Sequence, residues 1–164
     1  MRKTEAGRIA FGGVMAALAV VVMSLGGLIP IATFVGPMLC MLLLSFVLKA
    51  CGSRVGWAWY GAVSILSVLL GPDKEAAAVF VFLGYYPILK PVLDRKKLGT
   101  VLKFLLFNAM ILLMYWVLIH LFGMAQVAQE YQELGTIMTV LMLVLGNVTF
   151  LLLDKVLSRF GKLK

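Results

Sequence analysis

From Ile9 to Leu48 the chain carries no charged residue at all. A single helix needs only about 20 apolar residues to cross a bilayer, so this run predicts two membrane spans joined by a turn. Gly26-Gly27, Pro30 and Gly36-Pro37 are the turn signals inside it. The stretch between them, Leu28 to Val35, is itself apolar and is expected to dip into the interface or lie over the bundle. Four more apolar segments follow. The six run over Ile9–Leu28, Gly36–Lys49, Val55–Leu70, Ala76–Leu89, Val101–Phe122 and Leu134–Leu153. The expected fold class is all-α, an integral membrane bundle of six transmembrane helices forming a single transmembrane domain over residues 1–164. The second, third and fourth segments are short and call for flanking residues or local bilayer thinning.

Composition agrees. The chain is 63% hydrophobic and 13% charged, against about 45–50% and about 25% in soluble domains. A soluble fold of this size leaves too much surface exposed to hide that excess. The net charge of +8 does not indicate nucleic acid, because the basic residues stand in short clusters between apolar runs. Arg2, Lys3 and Arg8 before the first span resemble the start of a signal peptide. With membrane segments throughout there is no exported domain to release, and the first helix is expected to be retained.

The clusters set an orientation. Arg2, Lys3 and Arg8, then Lys49 and Arg54, then Lys90, Arg95, Lys96, Lys97 and Lys103, and finally Lys155, Arg159, Lys162 and Lys164 all fall on one side of a six-span chain. Only Lys74 falls on the other. Under the positive-inside rule both termini are cytoplasmic, N-in and C-in. The outer side then holds the apolar first connector, the turn Gly71-Pro72-Asp73-Lys74-Glu75, and a polar loop from Gly123 to Glu133.

No catalytic motif is present, and no paired carboxylates or central charge lie inside a span, so an enzyme and a proton-coupled pump are both disfavoured. Cys40 and Cys51 are expected to be buried thiols. With His120 the only histidine, no metal site and no cofactor is expected. The first span carries two small-xxx-small pairs, Gly12/Ala16 and Gly13/Ala17, which serve either internal packing or docking of a partner helix. Asn108 and Asn147 should sit at similar depth and satisfy each other by a hydrogen bond. Trp116 and His120 share one face of the fifth span near its outer end. They read either as an interfacial anchor with a solvated histidine or, with Asp73, Glu75, Gln126, Gln129 and Glu130, as part of a small-molecule pocket. Trp57, Trp59, Tyr60, Tyr85 and Tyr86 fit a cytoplasmic aromatic belt, and Pro87 and Pro91 should end the fourth helix.

The six short spans, inward termini, the small-residue-rich first helix Arg8-Ile9-Ala10-Phe11-Gly12-Gly13-Val14-Met15-Ala16-Ala17-Leu18-Ala19 and the turn after the third span resemble the substrate-binding S component of an energy-coupling factor (ECF) transporter. That resemblance implies a protein of the bacterial cytoplasmic membrane that captures a vitamin-like solute outside and is not itself an enzyme. Its partners would be a shared ECF transmembrane subunit and two ATPase subunits, besides the lipid bilayer, with no nucleic acid. It implies docking through Ala10, Gly12, Gly13, Ala16 and Ala17, and solute contacts from Asp73, Lys74, Glu75, Trp116, His120, Gln129 and Glu130. The family's AxxxA pattern is only approximated, since the best pairs begin with glycine. The acidic outer face suits a neutral or cationic solute. The alternative is a membrane scaffold similar to the MreD cell-shape proteins, with no ligand.

Overall fold

Apolar residues in long uninterrupted runs satisfy their backbone groups most completely as helices, and helices are what these segments form. The computed structural model describes residues 5–26, 33–120 and 135–162, and among them there is no strand. The chain divides into two compact units, Met1–Arg95 and Lys96–Lys164.

The first unit contains α1 (Glu5–Gly26), α2 (Val35–Cys51), α3 (Ser53–Leu70), α4 (Lys74–Leu83) and α5 (Tyr86–Asp94). α1 packs chiefly on α2 and α3, and α2 also meets α4 and α5. Ala19 and Met23 of α1, Cys40, Met41, Leu44 and Val47 of α2, Val63 of α3 and Phe80 of α4 are buried. The corner between α2 and α3 is a single residue, Gly52, at φ 87°. Side chains are disfavoured in that region, so glycine permits the reversal. Gly56 then lets the two helices approach closely: a Cβ there would run into Leu48 Cδ2. The two thiols donate weakly to α1, Cys40 Sγ to Ala19 O at 3.5 Å and Cys51 Sγ to Arg8 O at 3.3 Å. Both are buried and unbridged, as expected.

Two sequence expectations change here. The fourth helix ends earlier than the expected Leu89, and Pro91 ends no helix. α4 stops at Leu83, the residue whose carbonyl the Pro87 ring would strike, and the chain turns through Gly84 and Tyr85 while staying right-handed. Pro87 then lies in the first turn of α5, where a missing N–H costs little, and α5 continues through Pro91 to Asp94. The aromatic belt is also partly internal. Trp59 and Tyr86 are buried, and Tyr60 sits against Phe80 and Tyr85 with ring centroids 5.9 and 6.2 Å apart. Its hydroxyl donates to the carbonyl of Val81. Of the three belt residues on α3, only Trp57 is exposed.

The second unit contains α6 (Gly99–His120) and α7 (Gly135–Lys162). α7 runs past the predicted end at Leu153, because Asp154, Lys155 and Arg159 continue the helix beyond the apolar stretch. Ser158 Oγ donates back to the carbonyl of Asp154 there at 2.7 Å.

Among the described residues three stretches are long and apolar enough to cross a membrane: Glu5–Leu25, Lys74–Asp94 and Gly99–Val117. α2 is apolar but shorter. Ile9, Val14, Ile65, Leu69, Leu105 and Leu112 are 62–70% exposed. So much apolar surface is unfavourable in water. It is suited to lipid, and the chain reads as a membrane protein.

Candidate functional site

α1 separates the five small residues proposed for docking. Gly12 is buried, and a Cβ added to it would meet Val55 Cγ1 of α3 at 3.4 Å. It belongs to packing inside the first unit. Ala16 is half-buried. Ala10, Gly13 and Ala17 are exposed, and nothing lies within 4 Å of a Cβ placed at Gly13. Their spacing of three and four residues puts them on one stripe of the helix, to which the exposed Ala6 also belongs. Of the two small-xxx-small pairs, Gly12/Ala16 turns inward and Gly13/Ala17 outward.

The turn between α3 and α4 engages two of the proposed solute contacts in its own closure. Asp73 is the N-cap of α4, its carboxylate accepting from the Ala76 N–H at 3.0 Å. Lys74 Nζ donates to the carbonyls of Val68 and Gly71 at 2.8 and 3.0 Å, closing the exposed end of α3. Glu75 lies in the first turn of α4, where a negative charge favours the helix dipole. Asp73→Ala is therefore expected to lower stability by about 1 kcal/mol, the usual worth of such a cap. Denaturant unfolding in micelles measures it, and no change would mean the cap contributes nothing.

In the second unit α6 and α7 meet antiparallel along a seam of three polar and aromatic layers. Lys103 Nζ lies 3.3 Å from both carboxylate oxygens of Asp154. Phe107 stacks on Phe150 at 4.4 Å, and Phe104 meets the same ring edge-on at 5.9 Å. Asn108 and Asn147 then exchange hydrogen bonds, at 3.0 and 3.1 Å. Each amide also donates to its own helix, to Phe104 O and Leu143 O. The expected pairing of the two asparagines is thus present. Asn108→Leu is expected to cost about 1 kcal/mol, since interhelical bonds in membranes average about 0.6 and reach about 1.7 kcal/mol. Adding Asn147→Leu should return part of that loss in an unfolding titration. A double variant less stable than the sum of the singles would contradict the pairing.

Trp116 is 58% exposed, whereas Met114, roughly 200° away around α6, is 1% exposed. That exposure suits an interfacial anchor. His120 ends α6, and its side chain falls outside the described residues, as do Gln126, Gln129, Glu130 and the connector at 27–32. Among the described residues no His, Cys, Asp and Glu cluster fit for a metal occurs.

By sequence alone Lys103 is indistinguishable from the topological charges around it, and the one signal of its pairing with Asp154 is an acid and a base at matching depth on the two helices of a hairpin. Comparison with family models, curated proteins and solved structures gives no match to the chain.

Proposed function

We propose that this chain is the substrate-binding S component of an ECF-type, ATP-driven micronutrient uptake transporter of the bacterial cytoplasmic membrane. It would sit there as a six-span bundle with both termini inside. The observation that carries the reading is the exposed small-residue stripe Ala10, Gly13 and Ala17 on α1, a helix apolar enough to cross a membrane. Small side chains let a second helix come close enough for backbone packing in lipid, where apolar burial by itself gives no drive to associate. The stripe would dock on a shared transmembrane subunit, and two partner ATPases would supply the energy.

Two further observations support the reading. Fourteen of the fifteen Lys and Arg residues fall on the proposed cytoplasmic side. The proposed outer side would use Trp116, His120, Gln129 and Glu130 as solute contacts, with Asp73, Lys74 and Glu75 shaping its turn. Lys103, at the inner end of α6, is paired by Asp154, as structural charges are, rather than standing as a step in a proton relay. Catalysis is assigned to none of these residues.

A thermal-shift screen of the purified chain against vitamins and amino acids tests the proposal. A ligand at 100 times its dissociation constant adds about 2.7 kcal/mol to stability, which raises the unfolding temperature visibly. One compound class is expected to do so. If none shifts the transition, solute binding is refuted and the ligand-free scaffold takes its place.

A further inference from the structure

The start of α6 carries a groove of about 320 Å³ lined by Lys96, Leu98, Val101, Leu102 and Leu105. That volume is at the small end of ligand sites, about 300–1,000 Å³. Apart from Lys96 its walls are aliphatic, and a water-soluble ligand would find no set of converging polar groups there. Leu98, Val101 and Leu105 are 72, 62 and 66% exposed. The groove therefore opens outward along the helix.

Charge at its mouth is one-sided. Arg95, Lys96 and Lys97 are consecutive, and no acid follows them until Glu130. The acid before them, Asp94, lies 3.5 Å from Lys90. Farther along α6, Lys103 is held by Asp154. Among the described residues neither Lys96 nor Lys97 has a carboxylate partner, and both are exposed. The N-terminus of α6 opens at the same place and adds its partial positive charge. Cationic head and apolar wall meet where the membrane-crossing stretch begins at Gly99, the depth at which phosphates give way to acyl chains.

We propose that this groove binds an anionic phospholipid, its phosphate held by Lys96 and Lys97 and one acyl chain laid along Leu98, Val101, Leu102 and Leu105. The long lysine stems line apolar surface while their ammonium groups stay at headgroup level. The site depends on α6 lying in a bilayer and not on the transport reading, so either stands without the other.

Native mass spectrometry of the full chain in detergent tests it, with phosphatidylglycerol and phosphatidylcholine of identical acyl chains supplied in equal amounts. The chain is expected to retain phosphatidylglycerol preferentially, and less of it as salt rises. Each basic side chain near a lipid surface contributes about 1 kcal/mol, so Lys96→Gln/Lys97→Gln should weaken phosphatidylglycerol retention about thirty-fold. Phosphatidylcholine retention should fall much less, because its choline already offsets the phosphate charge. Leu98→Ser/Leu105→Ser, at exposed positions that leave the fold intact by circular dichroism, should lower retention with both lysines present. Inorganic phosphate should not displace the lipid. Equal retention of the two lipids, an unchanged preference in the lysine variant, or displacement by inorganic phosphate would each overturn the proposal.

Discussion

Under the proposed transport role, leucine at both Gly13 and Ala17 is expected to reduce solute uptake to background while leaving solute binding intact. The two residues are exposed on α1, and no atom lies near a Cβ at Gly13, so added side chains meet nothing within the first unit. Against a docked helix the same side chains would hold the backbones apart and remove the close packing on which association in lipid rests. Uptake in reconstituted vesicles and the ligand-induced thermal shift are measured together. Loss of both activities would mean that the stripe packs inside the protein, and retention of both would mean that it docks nothing. Gly12→Leu is the contrasting control. Its side chain would press on Val55, and overpacking of that kind costs about 1–3 kcal/mol, so it should lower the stability of the chain itself.

Lys103→Met is expected to destabilise the α6–α7 hairpin by about 2–3 kcal/mol. Removing one member of a fully buried ion pair costs about 3–5 kcal/mol, because the other charge is left without its partner. The Lys103 side chain is 8% exposed and that of Asp154 23%, so water offsets part of the penalty. The second change Asp154→Leu removes the stranded carboxylate, and an apolar pair of similar volume is often as stable as the ion pair it replaces. The double variant should therefore recover most of the loss in reversible unfolding from mixed micelles. If it is as unstable as Lys103→Met alone, the loss does not come from a stranded Asp154 and the two residues are not coupled as an ion pair.

The helices were legible where one physical signal dominated. α2 and α3 lie within about two residues of the predicted segments, because charge and glycine bound the apolar runs at Lys49, Gly52 and Gly71. α4 and α5 were less so. Proline at 87 and 91 signals a helix end, yet the first falls at a position that tolerates it and the second sits inside α5. The Asn108–Asn147 bond was legible since two lone amides at matched depth in lipid have few other partners. Which small pair of α1 faces outward was not. Gly12 and Gly13 are only about 100° apart on the helix, and the choice is made by Val55 from another element. Asp73 and Lys74 carried a different ambiguity, because a carboxylate and an ammonium that close a turn have the same chemistry as those that hold a solute. Geometry separates the roles: both side chains reach backbone groups of the α3–α4 turn.

Co-expression of the tagged chain with an ECF transmembrane subunit and its two ATPases, followed by purification through the tag, is the most direct test of the proposed role. The complex is expected to be recovered with all partners in fixed stoichiometry from the wild-type chain and lost from Gly13→Leu/Ala17→Leu. Recovery of the wild-type chain without any of these subunits would contradict it.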